Sequence, residues 1–134
     1  MDIGEQLTKQ YQSLSIPGVD TAKGIALAGG SLDTYKQLLD KFCEDAEKRL
    51  PLLQSVPEAD ALSAFVTQVH SLKSLSASIG AAELSTMAGG LEAAGWAGDI
   101  VFIQENLRVF IENLVKLMGG IRAWGKTMKD PYHD

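Results

Sequence analysis

The sequence predicts an all-α protein, an antiparallel four-helix bundle with one or two short extra helices at the N-terminus. In four long stretches, hydrophobic residues recur at spacings of three and four, as in helices that bury one face. Glycine, proline or a capping residue separates these stretches, so the connections are short and neighbouring helices are expected to be antiparallel. No stretch alternates between apolar and polar residues as a half-buried strand does.

Length and composition are those of one ordinary globular domain. The chain has 134 residues, of which 46% are hydrophobic and 22% are charged, so we expect residues 1–134 to form a single domain. The net charge of -5 argues against nucleic acid as a partner, because phosphate binding needs a basic face. The single cysteine, Cys43, favours a reducing compartment and is expected to be a small core residue.

The N-terminal part contains signals for two short helices. Residues 3–14 form an amphipathic pattern, and Ile16-Pro17-Gly18 interrupts it. Asp20 is then expected to cap a second short helix, which Gly29-Gly30 closes.

Four longer helices follow. Ser31 is predicted to cap the first, whose apolar face runs to Leu53 with a kink or end near Leu50. Pro57 is predicted to lie in the first turn of the second helix, and Gly80 to end it.

The third long helix is predicted from about residue 82 to 94, ended by the Gly95–Gly98 region. Asp99 is expected to cap the last helix, which extends to about residue 128, with a bend or fraying at Gly119-Gly120. The tail from Lys129 to Asp134 is expected to be a loop.

The second long helix carries His70, one of only two histidines. The other, His133, lies in the polar tail. At 100° per residue, His70 points roughly 120° away from the centre of the apolar stripe. Its neighbours along the helix include the small residues Thr67, Ser74 and Ala77. The imidazole is therefore predicted to be exposed and accessible, a pattern that an ordinary solvated histidine shares.

An exposed imidazole with small neighbours suits phosphoryl transfer. Its neutral form is a nucleophile available near physiological pH. The small residues Ser74 and Ala77 leave space for in-line attack. Lys73, at i+3, can place its ammonium near a phosphoryl group on His70. No ATP site, phosphate loop or metal-ligand spacing accompanies this helix, so no cofactor of the chain's own is expected.

The run from His70 to Ala81 (HSLKSLSASIGA) resembles the signature of histidine phosphotransfer (HPt) domains of two-component phosphorelay systems. That signature is His-x-Leu-Lys-Gly-x-Ser/Ala-x-x-Leu/Ile-Gly-Ala/Leu. His70 corresponds to the phospho-acceptor and Lys73 to the phosphate-stabilising lysine, while Ser74 replaces the usual glycine. The opening around residues 16–42 and the Leu91-Glu-Ala-Ala run are similar as well, so the resemblance extends over about residues 16–117.

The resemblance implies a phosphorelay intermediate. His70 would accept a phosphoryl group from a receiver-domain aspartate and pass it to another receiver, with magnesium supplied by the partner receiver domain. The implied partners are response-regulator receiver domains, a sensor histidine kinase, or both, and the chain is expected to be a monomer. A partner surface is expected at Ile25, Leu27, Ala28, Thr67 and Ala77, and an Ile25→Glu change is expected to slow transfer without harming the fold.

Two other functions fit the same sequence. The chain could be the phospho-acceptor domain of a chemotaxis-type histidine kinase, or a helical adaptor whose histidine is never phosphorylated. No run approaches the ~20 apolar residues of a membrane span, and no signal peptide is evident. We therefore expect a cytoplasmic location without direct membrane contact, either free-standing or as the cytoplasmic end of a membrane-anchored hybrid kinase.

Overall fold

A computed structural model describes residues 15–129 of the chain. Within this part the chain has no strand and forms five α-helices: α1 (Thr21–Leu27), α2 (Leu32–Arg49), α3 (Leu62–Ser78), α4 (Ala82–Ala97) and α5 (Ile100–Lys129). The predicted all-α helical bundle is confirmed. None of these helices is long and apolar enough to cross a membrane. The predicted helix over residues 3–14, the predicted loop after Lys129 and His133 lie outside the described residues.

Three of the helix starts follow from capping residues that the sequence identifies. Asp20, Ser31 and Asp99 each accept a hydrogen bond from the backbone N–H three residues further on, at 3.0, 3.2 and 3.1 Å. These bonds satisfy N–H groups that have no partner within the helix. The predicted starts of α1, α2 and α5 are therefore confirmed.

The prediction for the start of α3 is wrong. Pro57 was expected in its first turn, but α3 begins at Leu62 after a 3-10 turn over Ala59–Ala61. Glu58 has an extended backbone (φ -68°, ψ 162°), which separates Pro57 from the helical residues that follow. The end of α2 agrees better, because the helix stops at Arg49 and Leu50–Leu53 continue as a 3-10 turn.

The predicted end of α4 in the Gly95–Gly98 region is confirmed. The helix continues to Ala97, and Gly98 adopts the left-handed conformation (φ 70°) that closes it. Gly119-Gly120 lie within α5, which continues to Lys129. A glycine can mark either the end of a helix or a close contact between two helices. The neighbouring residues in the sequence do not distinguish these two roles.

The core lies between the four longer helices and consists almost wholly of aliphatic and aromatic side chains. Cys43 is part of it, as predicted, and burial raises the pKa of its thiol. A buried thiol with a raised pKa is a poor nucleophile at neutral pH, which supports a packing role.

Hydrogen bonds fix α1 and α2 against the C-terminal end of α3. The buried Tyr35 hydroxyl of α2 donates to the carbonyl of Ile79 at 2.7 Å, and the Asp20 N–H donates to the carbonyl of Gly80 at 2.9 Å. Gly80 has φ 87°, and a Cβ there would lie 2.3 Å from the Asp20 carbonyl oxygen. Glycine is therefore required for α1 to lie beside the end of α3.

The Tyr35 hydrogen bond yields a prediction about stability. Tyr35→Phe should lower the free energy of unfolding by about 1 kcal/mol at neutral pH, because the Ile79 carbonyl loses its buried donor. Burial, followed by the negative charge of Asp20, raises the pKa of Tyr35 from 10.0 to about 12. The neutral phenol's contribution is thus complete below pH 10 and is lost as the pH rises toward 12.

Denaturant titrations of the wild type and Tyr35→Phe across this range measure the effect. The difference between their unfolding free energies should narrow between pH 10 and 12. A difference that stays constant over that interval would contradict the assignment.

Candidate functional site

Helix α3 has one buried face and one exposed flank. Phe65, Val66, Val69 and Leu72 are buried in the bundle. His70 lies on the flank, with 58% of its side chain exposed. The exposure predicted from the helix geometry is confirmed.

The neighbours of His70 along this flank are short, as expected. Thr67, Ser74 and Ala77 are all exposed. The Thr67 hydroxyl donates back to the carbonyl of Ser63 at 3.2 Å, which keeps it close to its own helix. A partner therefore meets no long side chain from these three positions when it approaches the imidazole.

The structure adds a residue that the sequence analysis missed, Glu92 of α4. Its Oε2 lies 2.6 Å from Nδ1 of His70, and its Oε1 accepts a hydrogen bond from Nζ of Lys73 at 3.1 Å. Its own side chain is only 15% exposed. One carboxylate therefore joins the two residues that the sequence selects. We call His70, Lys73 and Glu92 the histidine cluster.

The available signal for Glu92 was its isolation. It is the one charged residue between Leu84 and Gly98, in a stretch of small and apolar residues. An isolated charge in such a stretch points to a specific contact only once its partner is known. That partner is 22 positions away on another helix, so the pairing depends on how α3 and α4 are aligned.

Contacts along the two helices fix this alignment. Gly95 lies against Val66, and a Cβ on Gly95 would be 2.5 Å from Cγ2 of Val66. At the other end, the Ser85 hydroxyl donates to the carbonyl of Lys73 at 2.9 Å. Residue numbers rise along α4 as they fall along α3, so the helices are antiparallel. The absence of a side chain at Gly95 permits the close approach that brings Glu92 to His70.

The electrostatics of the cluster define its protonation. Partial burial alone would raise the pKa of Glu92, but hydrogen bonds from His70 and Lys73 and their positive charges lower it below its ordinary value of 4.5. Glu92 is therefore ionised at neutral pH and can only accept hydrogen bonds. Nδ1 of His70 must then carry the proton, which leaves the lone pair of neutral His70 on Nε2.

Lys73 places its positive charge at the solvent-exposed side of the histidine cluster. About a third of its side chain is exposed, and its ammonium is paired with Glu92. Its predicted role beside a phosphoryl group remains a prediction, but its position on the same carboxylate as His70 is consistent with that role. Ser74 is exposed and lies one helical turn from His70.

The predicted partner surface on α1 is only partly exposed to solvent. Leu27 is 58% exposed, whereas Ile25 and Ala28 are partly buried and pack against the core. An Ile25→Glu change would place a carboxylate against apolar side chains, so the expectation of an intact fold does not follow from the structure. Leu27 is the residue of this segment that a partner can reach.

The described residues contain no group of three or more histidine, cysteine, aspartate or glutamate side chains that could hold a metal ion. The site is instead a single imidazole oriented by one carboxylate. Such an arrangement provides an oriented nucleophile with an open approach.

Comparison with known proteins gives one family and one relative. The family model of the Hpt domain matches residues 37–124. The chain is also 35% identical over 82 residues to a carboxylic acid reductase of Neurospora crassa, a match that covers 59% of this chain and 8% of that protein. The chain thus corresponds to a small part of that protein's length. No solved structure gives a significant match.

The role of Glu92 can be tested by nitrogen-15 NMR of the His70 ring. The neutral ring of the wild type should carry its proton on Nδ1 and none on Nε2. Glu92→Ala should move the ring toward the tautomer with the proton on Nε2, because the acceptor for Nδ1–H is lost. Glu83→Ala, which removes an exposed glutamate of the same helix, is the control. An unchanged tautomer in Glu92→Ala would show that the carboxylate does not orient the ring.

Proposed function

Because the chain belongs to the Hpt domain family, we propose that it is a phosphorelay intermediate that carries a phosphoryl group on His70. His70 accepts the group from the aspartate of one receiver domain and passes it to the aspartate of another. The observation that carries this proposal is the bond between Nδ1 of His70 and Glu92 beside an exposed ring. It directs the free lone pair of the ring away from Glu92.

In the transfer step, the lone pair on Nε2 attacks the phosphorus of an aspartyl phosphate. A nitrogen–phosphorus bond forms, the bond between phosphorus and the carboxyl oxygen breaks, and its electron pair leaves with the aspartate. Nδ1 keeps its proton, so the phosphorylated ring acquires a positive charge. The ionised Glu92 accepts that proton's hydrogen bond and stabilises this charge as it develops.

The same contacts serve the return step. A ring that remains protonated on Nδ1 is a good leaving group, so the phosphoryl group can move on to a second aspartate. Lys73 is held beside the ring by the other oxygen of Glu92. Its ammonium can turn toward the phosphoryl oxygens, which carry two negative charges, without leaving the cluster. The direction of flow is then set by the relative energies of the two partner phosphates.

Several further properties belong to this proposal. The chain requires no cofactor of its own, and the magnesium is held by the receiver domain. The receiver would pack on exposed residues of two helices: Thr67 and Ala77 of α3, which carries His70, and Leu27 of α1. The protein acts as a cytoplasmic monomer in this scheme, whether alone or within a larger chain.

The decisive experiment is transfer from a phosphorylated receiver domain. Incubation with such a receiver, without ATP, should label the wild type with phosphate that is labile in acid and stable in base. His70→Gln should take up no label, because the ring nitrogen is replaced by an amide. Addition of a second, unphosphorylated receiver should then remove the label from the wild type.

The outcomes also separate the alternatives. Labelling only by a histidine kinase domain with ATP would contradict the relay and indicate the chemotaxis-type function. An unlabelled wild type, tested with several phosphorylated receivers and kinase domains, would indicate the adaptor. Circular dichroism of His70→Gln should match the wild type, since the side chain is exposed.

A further inference from the structure

Trp96 is the most exposed large apolar side chain of the described residues. It lies near the C-terminal end of α4 with 74% of its surface exposed. The other tryptophan, Trp124, is 5% exposed and packs edge-on against Tyr35 with ring centroids 6.0 Å apart. Tryptophan is mostly buried in folded proteins, so Trp96 stands out while Trp124 is explained by the core.

Trp96 lies on the side of α4 that carries Glu92. The two residues are four positions apart, which places them within about 40° of each other around the helix and about 6 Å apart along it. Ser85 lies seven residues before Glu92, about two turns along the helix, and therefore on the same side of α4. Both residues contact α3.

The alignment of α3 and α4 gives the level of Trp96 along α3. His70 is paired with Glu92, and Val66 with Gly95. Trp96 is therefore level with Phe65 and Val66, about one helical turn from His70.

We propose that Trp96 is a docking anchor for the receiver domain that exchanges its phosphoryl group with His70. This inference rests on the proposed function and names the surface through which it operates. The occupant follows from continuity, because a receiver must place its aspartate against Nε2 of His70. A standard interface buries about 800 Å² on each partner, equivalent to a patch with a radius of about 16 Å. A patch of that size around His70 includes Trp96.

The surface between the two residues allows this contact. Thr67 and Ala93 are exposed and short, so they do not shield either ring. A large, rigid aromatic side chain beside a reactive group is the type of residue that dominates binding energy in protein interfaces. At the opposite end of α3, Asp20 at the start of α1 bonds to Gly80, and α1 carries a second exposed apolar side chain, Leu27.

The first test measures the rate of transfer to the chain as a function of phosphorylated receiver concentration. Trp96→Ala should raise the half-saturating receiver concentration by about tenfold or more. The maximal rate should stay within about twofold of the wild type, because binding and not chemistry is affected. Val115→Ala, which removes an exposed apolar side chain of α5, is the matched control and should behave as the wild type.

The second test measures docking without chemistry. In Trp124→Phe, Trp96 is the remaining tryptophan, and titration with unphosphorylated receiver should shift its emission to shorter wavelength as the ring leaves water. His70→Gln in the same background should bind equally, since docking does not require phosphorylation.

The results distinguish this inference from the proposed function. If the wild type is labelled but Trp96→Ala has the wild-type concentration dependence, or the emission is unchanged at saturating receiver, the docking surface is wrong and the relay stands. If the emission shifts but His70 is never labelled, Trp96 docks the receiver and the relay is wrong. If His70 is not labelled and the emission does not shift, both the relay and the docking surface are wrong.

Discussion

The chemistry of His70 depends on the distance between α3 and α4. Glu92 is the only residue of α4 shown to contact the imidazole, and it uses one oxygen for Nδ1 of His70 and the other for Lys73. A carboxylate side chain is short, so the two helix axes must be close for both bonds to form. Gly95 permits that approach because Val66 occupies the space that a Cβ would take. A packing constraint in the bundle thus fixes the geometry of an exposed nucleophile.

The same arrangement explains how a single imidazole can be rigid enough to react and open enough to be reached. Its proton-bearing nitrogen is held by a carboxylate that is 15% exposed, while 58% of the His70 side chain faces solvent. The residues that orient the ring therefore lie beneath it, and the residues around its outer edge are short. A protein partner can reach the exposed ring, which suits the proposed transfer between two partners.

Local signals in the sequence predicted much of the fold and the exposure of His70. Caps at Asp20, Ser31 and Asp99 depend on one side chain and a nearby N–H, so they can be recognised in a linear sequence. The exposure of His70 follows from the helical repeat alone. Its proposed role as a phospho-acceptor rests on resemblance to a family.

What the sequence did not reveal depends on contacts between distant elements. Glu92 meets His70 only because α3 and α4 align in one register, and no single-helix pattern contains that register. The contact between Gly95 and Val66 depends on the same register, so it could not be predicted from α4 alone. Ile25 lies in a helix too short to show a clear buried face, and only the packing of α1 shows that it is partly enclosed.

In the proposed mechanism, Glu92 directs the phosphoryl group to one nitrogen of His70. Phosphorus–nitrogen coupling in the phosphorylated protein, labelled with nitrogen-15 in its histidines, measures this directly. We expect phosphorus to be coupled to Nε2, with Nδ1 still carrying its proton. Phosphorus bonded to Nδ1 would contradict this mechanism, because that nitrogen faces the Glu92 carboxylate.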